Sequence, residues 1–214
     1  DEIIISGLEH HSNIVPWQMM AKKNGAQIKV IPINEDGELD FNFYENLLNK
    51  NTKLVFVNHV SNALGTINPI SQIIKCAHKV GAAVLIDGAQ ASANIKCDLQ
   101  DLDVDFYTTS AHKLCGPTGI GMLYGKEKWL EKLPPYQGGG EMISEVTFDK
   151  TTYAEIPQKF EAGTPNVSGA IGFGVALDYL NSIGYDNINS YEKELLVYAE
   201  HKLKSITGIK FYGI

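Results

Sequence analysis

Arginine is absent: all 18 basic residues of this 214-residue chain are lysines. A guanidinium fork is the best-shaped holder of a carboxylate, so no arginine clamp for a substrate carboxylate lies within it. Cysteine is scarce. Cys76, Cys97 and Cys115 are an odd number, widely spaced, with no CxxC pair. That excludes a disulfide framework and a zinc knuckle, and a reducing, cytoplasmic setting is expected. Positive net charge is also lacking. The balance is −7 with a pI near 5.3, which argues against DNA or RNA as a partner. No apolar run approaches the roughly 18 residues of a membrane span, so no membrane partner is expected. The start lacks the basic stretch of a signal peptide. The chain opens at Asp1-Glu2 directly before Ile3-Ile4-Ile5 and closes on Phe211-Tyr212-Gly213-Ile214, which reads as a strand cut short. We therefore expect the middle of a longer protein.

What is present is 44% hydrophobic, enough for one sizeable core. Ile3–Ser6, Gln27–Ile31, the apolar runs Leu54–Val57 and Ala83–Ile86, and a short β-type run from Phe106 read as strands. Between them, helices are predicted from Pro16 to Lys23, Phe41 to Leu48 and Ile70 to Val80. The first and third are closed by Gly25 and Gly81. Ile120 to Tyr124 reads as a hairpin-like return strand. Glu141 to Pro157 is polar and mixed. Ser168 is expected to cap a helix through Leu180, and Ile188 to Ile206 to form a long amphipathic one.

Alternation of strand and helix, with strands that are continuous apolar runs, is the pattern of a parallel sheet covered by helices on both faces. In such sheets ligands sit outside the carboxyl ends of the strands. The polar residues expected there are His10, Asn62, Asp87, Gln90, Ser110, His112 and Lys113. Lys113 is the most informative of these. A short strand carries it to its end, and the turn Gly116-Pro117 then stops both strand and helix. A lysine held still at a sheet rim suits covalent work as a Schiff-base residue for pyridoxal 5'-phosphate (PLP). That cofactor also needs a carboxylate beside its pyridine nitrogen, a flat group over its ring, and donors for its phosphate and ring hydroxyl. Asp87 suits the carboxylate and His10 the flat group. Ser110 and His112 suit the phosphate, and Gln90 or Asn62 the hydroxyl. Each alone has an ordinary reading as a turn former or loop hydrogen bonder.

Five motifs occur in one order. They are Glu9-His10-His11-Ser12-Asn13-Ile14-Val15-Pro16-Trp17, His59-Val60-Ser61-Asn62-Ala63-Leu64-Gly65, Asp87-Gly88-Ala89-Gln90, Ser110-Ala111-His112-Lys113 with Gly116-Pro117-Thr118-Gly119-Ile120-Gly121, and Phe160-Glu161-Ala162-Gly163-Thr164-Pro165. Together they resemble the class V, fold-type I aminotransferase family over essentially the whole chain. Within that family they resemble the SufS-type (group II) cysteine desulfurases. The first motif and the short Gly138-Gly139-Gly140-Glu141-Met142-Ile143 loop favour that branch over the IscS type.

The resemblance implies a three-layer α/β/α large domain at residues 1–181, truncated at its N-terminus, with a mostly parallel sheet. It implies that 182–214 form a linker helix and the first strand of an incomplete small α+β domain. By residue, it implies that Lys113 bonds the PLP aldehyde and that His10 stacks on the ring and shares in catalysis. Asp87 would pair with the pyridine nitrogen. Gln90 and Asn62 would lie near the ring hydroxyl and substrate, and Ser110 and His112 would bind phosphate. Thr164 would reach the phosphate held by a neighbouring subunit of a homodimer. The implied reaction converts L-cysteine to L-alanine and passes sulfur, as a protein persulfide, to an acceptor protein for iron–sulfur cluster assembly. It also implies that the phosphate loop precedes residue 1, and that the persulfide cysteine and carboxylate-binding arginine follow residue 214. Cys115 then reads as packing, and the chain alone is expected not to turn over cysteine. Three other readings remain at this stage: a selenocysteine lyase or other class V enzyme, a non-catalytic cofactor-binding fragment, and a metal site on His10, His11, Asp87 and His112. The last has no tight ligand pair and a lysine beside it that would repel a cation.

Overall fold

The computed structural model describes residues 1–213. Six strands form one sheet: β1 (Glu2–Ser6), β2 (Gln27–Ile31), β3 (Thr52–Asn58), β4 (Ala83–Asp87), β5 (Phe106–Ser110) and β6 (Gly121–Gly125). Their spatial order is β2-β1-β3-β4-β5-β6, parallel throughout except that β6 returns antiparallel to β5. The expected α/β architecture is therefore the one observed. Each parallel crossover carries its polar loop to the same edge, since every one of these strands leaves the sheet in one direction.

Alternation along the strands sorts side chains to two faces. Ile4, Val55, Val57, Val84, Ile86 and Tyr107 join one core with residues of α2 (Phe41–Leu47) and α3 (Ile70–Lys79). On α3 the inward stripe is Ile70, Ile73, Ile74 and Ala77. Burying each isoleucine contributes about 1.5–3 kcal/mol. Asp40 caps α2 by accepting from the Phe43 N–H at 2.9 Å. Tyr44, 1% exposed, donates its hydroxyl proton to the Ile73 carbonyl at 2.8 Å and ties the two helices together. On the other face Ile3, Ile5 and Phe56 pack with Trp17 of α1 (Val15–Asn24). Beyond Trp17 this face is open, where an apolar groove of about 540 Å3 runs over Leu54, Phe56, Leu85, Phe106 and Leu123. The full covering of both faces expected from the sequence is thus met on one face and only partly on the other.

After β6 come a one-turn helix α4 (Glu127–Leu130) and a two-stranded ribbon, β7 (Ile143–Val146) with β8 (Thr151–Tyr153), inside the stretch that reads as merely polar. Helix α5 runs from Val167 to Ile183 and α6 from Tyr185 to Lys204, each starting before its expected first residue. Asn166, not Ser168, caps α5, by accepting from the Gly169 N–H at 2.9 Å. The short Asn side chain one residue before the helix reaches that N–H, whereas Ser168 already lies inside the first turn. The strand expected at Phe211–Ile214 is not formed over residues 211–213, which have no partner strand, and Ile214 lies outside the described residues.

Candidate active site

Four parallel strands end side by side. β1 delivers the His10 loop, β3 the Asn62 loop, β4 Asp87 and its turn, and β5 the short 3-10 turn Ala111–Lys113. Register aligns them: Asn58 pairs with Asp87, and Asp87 with Thr108. Residues as far apart in sequence as His10 and Lys113 therefore share one rim.

The Lys113 turn is held by its own backbone. The N–H groups of Leu114 and Gly116 both donate to the Ala111 carbonyl, at 2.8 and 2.9 Å. A side chain at 116 would meet that same oxygen at 2.8 Å, so only glycine lets the chain double back so closely. Lys113 is half-buried at the base of this turn, and Cys115 beyond it is exposed.

Beneath Asp87 lies a floor without charge. Its carboxylate accepts from the Ala89 N–H at 2.9 Å, and the next residue, Gly88, sits against the Tyr107 ring. The Tyr107 hydroxyl lies 3.1 Å from Nδ1 of buried His59. Burial lowers the His59 pKa and pushes Tyr107 up to about 12, so both stay neutral near pH 7.

The His10 ring is exposed and braced locally. Its Nδ1 accepts from the Ser12 N–H at 3.2 Å, so the neutral ring carries its proton on Nε2. The Ser12 hydroxyl lies 2.7 Å from the same Nδ1. Behind the ring, Glu9 is buried, and burial pushes its carboxyl up to about 7. Hydrogen bonds from Ser6, Asn13 and the Asn58 N–H oppose that rise, and the charge of Asp87 adds to it.

These loops enclose a cavity of about 340 Å3, within the roughly 300–1,000 Å3 range of small-ligand sites. Its wall brings together His10, Asn62, Asp87, Gln90, Ser110, His112 and Lys113. Thr164 is not among them. It lies exposed in the turn after Gly163, away from this cavity in its own chain. The wall also contains Ser12, Asn58, Val60, Ala89 and Thr108. Sequence reading passed over these, although Asn58 and Thr108 sit at strand ends beside Asp87 and the register alone would have found them. Among the described residues, no three His, Cys, Asp or Glu side chains gather as a metal site requires. Cys76, Cys97 and Cys115 do not line the cavity either. Burial raises the thiol pKa of Cys76 and Cys97, which makes them poor nucleophiles.

The donor set suits a small anionic aromatic aldehyde. It offers one amine, one carboxylate set on a neutral floor, two imidazoles, and hydroxyls and amides that hydrogen-bond phosphate and ring oxygens. A parallel sheet presenting this set at its carboxyl edge defines a PLP-dependent enzyme domain. The comparisons agree. The chain matches the Aminotransferase class-V family over residues 1–214. A cysteine desulfurase of Cronobacter sakazakii is 50% identical over 214 residues, which is all of this chain and 53% of the relative. The crystal structure of the Escherichia coli cysteine desulfurase CsdA superposes with a TM-score of 0.95 at 41% identity, covering 97% of this chain and 52% of that one. A C-DES variant with glycine covalently linked to its PLP cofactor superposes with a TM-score of 0.77 at 26% identity, over 86% of this chain and 50% of that one. The chain belongs to the class-V aminotransferase family. It spans about half the length of the curated relatives it matches.

Proposed function

We propose that the protein carrying this chain is a PLP-dependent cysteine desulfurase, and that the 340 Å3 cavity is its cofactor and substrate site. The observation that carries the reading is the convergence of Lys113, Asp87 and His10 on one cavity wall from three different strand ends. Identity of 50% to a named cysteine desulfurase supports the choice of substrate within the family.

When bound, PLP withdraws electrons from the carbon bearing the substrate amine. The residues around it have separable tasks. Lys113 would hold the cofactor aldehyde through its amine and, once displaced by the substrate amine, take the proton from the substrate Cα. Asp87 would lie beside the pyridine nitrogen and favour its protonated form, on a floor whose Tyr107 and His59 are kept neutral by burial. His10, with its Nε2 proton, would lie over the ring and face the substrate. Ser110, His112 and Thr108 would donate to phosphate, and Gln90 and Asn62 to the ring oxygen and substrate. Thr164 is exposed and outside its own cavity, which supports a homodimer in which it completes the neighbour's phosphate site.

The cavity wall holds none of Cys76, Cys97 and Cys115, which supports a sulfur acceptor other than these three. A thiolate outside this chain would attack the substrate sulfur as its bond to Cβ breaks, the electron pair of that bond staying on the carbon skeleton that leaves as alanine, and the sulfur would pass, as persulfide, to an acceptor protein of iron–sulfur cluster assembly. The SufS-type branch and a cytoplasmic setting belong to the same proposal. They rest on the His10 motif and on three widely spaced free cysteines, which suit a reducing compartment. The test is product analysis. Full-length protein with PLP and L-cysteine should release L-alanine in step with sulfur, and Lys113→Ala should release none. Alanine formation by the 214-residue chain alone, with persulfide on one of its own cysteines, would refute the placement of the nucleophile.

A further inference from the structure

We propose that Glu9 is the positioning residue for His10, acting through a hydrogen-bond chain whose direction is set by Trp17. The proposal deepens the PLP reading of the cavity and rests on it for the role of His10. Glu9 is 8% exposed, directly precedes His10 and does not line the cavity. One carboxyl oxygen, Oε1, accepts from the main-chain N–H of Asn58 at 2.9 Å and contacts the Ser6 hydroxyl. The other, Oε2, accepts from the side-chain amide of Asn13. Asn58 in turn donates its own side-chain amide to the Leu8 carbonyl. Residues on both sides of His10 are thereby tied to the end of β3, the strand that pairs with Asp87. His10 itself is exposed, and among the described residues Ser12 is the one that hydrogen-bonds its ring, so its place at the cavity depends on the loop beneath it.

The chain has a fixed polarity. The Trp17 indole donates to Asn13 Oδ1 at 3.1 Å, and an indole N–H can only donate. Asn13 must therefore present its NH2 to Glu9. Trp17 cannot turn away, because its ring is stacked on Phe56 with centroids 3.7 Å apart and planes 17° apart. Oε2 accepts from Asn13 whether Glu9 is ionised or carries a proton on Oε1 directed to Ser6, so the chain survives a change of protonation. Glutamine does not replace it. With its NH2 toward Asn13, two donors face each other. With its NH2 toward Asn58, the main-chain N–H of β3 loses its acceptor. Only removal of the indole donor frees Asn13 to flip and satisfy a glutamine.

The full-length protein is compared as wild type, Glu9→Gln, Trp17→Phe and the double variant. Two signals are read: the histidine-ring resonances of the apo-protein, with His10 assigned by His10→Gln, and the visible circular dichroism of bound PLP. We expect Glu9→Gln to shift or split the His10 resonances and reduce the cofactor's circular dichroism. Its cofactor affinity should fall about tenfold, the effect of one buried donor left unpaired. Trp17→Phe in the same chain should restore both signals. Phenylalanine keeps the stack on Phe56, so a merely structural loss would not be rescued this way. Unchanged His10 signals in Glu9→Gln, or a double variant no better than the single, would overturn the proposal. Should Glu9→Gln not fold, Asn13→Ala cuts the same link from the loop side: it should shift or split the His10 resonances and reduce the cofactor's circular dichroism with no rescue by Trp17→Phe, and unchanged His10 signals would overturn the proposal. A wild-type protein that gains no visible band with PLP would refute the cofactor reading, while the apo resonances still decide the positioning claim.

Discussion

Gly88→Ala is the sharpest perturbation of the floor beneath Asp87. Its N–H donates to the Thr108 carbonyl at 2.9 Å, which fixes its backbone against β5. A Cβ built there would lie 2.0 Å from Cε1, 2.1 Å from Cζ and 2.2 Å from the hydroxyl oxygen of Tyr107. Real Cβ contacts essentially never fall below 3.0 Å. Tyr107 is 3% exposed, so its ring has two ways to yield. It can swing toward the neighbouring cavity of about 160 Å3 and lose its 3.1 Å contact with His59, or the backbone can lift and carry Asp87 with it. Overpacking costs about 1–3 kcal/mol, and a buried hydrogen bond lost alongside adds about 1 kcal/mol. We expect a loss of about 2–4 kcal/mol by urea denaturation, together with weaker PLP binding by visible titration. The cause is checked by a cycle: in a Tyr107→Ala background the same glycine change should cost close to nothing. A Gly88→Ala protein within about 0.5 kcal/mol of wild type, or an equal loss with the ring removed, would refute the steric argument.

Two further predictions concern buried carboxylates. Glu9 has a folded pKa of about 7 against an ordinary 4.5, so the folded protein holds a proton that the unfolded chain releases. Stability should therefore be highest at and below pH 4.5 as far as this group is concerned, and should fall as pH rises toward 7, by roughly 3 kcal/mol. Urea denaturation between pH 5 and 8 checks it, and Glu9→Gln should flatten that slope. Asp105 behaves oppositely. Its burial would raise the carboxyl, but hydrogen bonds from His78, Trp129 and the Val84 N–H, with the Lys126 charge, hold it below the ordinary range. Its contribution is present above the usual carboxylate pKa and is lost only as pH falls below it. His78→Ala removes a 2.8 Å partner from this 1%-exposed group and should cost about 1–3 kcal/mol. A loss under about 0.5 kcal/mol would mean that water or Lys126 replaces it.

The parts of the site that stand at strand ends were legible in the sequence. Asp87 follows a buried apolar run, and Lys113 follows a β-type run of aromatic and hydroxyl residues before a Gly-Pro stop, so the parallel topology brings them to one edge. Glu9 was not legible as a buried group. Its carboxyl is satisfied by Ser6 and Asn13 nearby but also by Asn58, 49 positions away, and that pairing exists only once β1 and β3 are adjacent. The β7–β8 ribbon was missed for a related reason. Its strands are short and mostly exposed, with no apolar alternation to announce them. The cap of α5 was misread by two residues because Asn166 and Ser168 are both good capping types, and only the backbone shows which one precedes the first turn. Thr164 was singled out through resemblance alone, and nothing about its own chain's cavity uses it.

The proposed function requires PLP to sit in the 340 Å3 cavity with its aldehyde on Lys113. Borohydride reduction of the full-length, PLP-loaded protein, followed by peptide mass mapping, tests it most directly. The visible band should be lost and one reduced pyridoxyl adduct should appear on the peptide containing Lys113, absent in Lys113→Ala. An adduct on a different lysine, or no adduct in a protein that is visibly loaded, would contradict it.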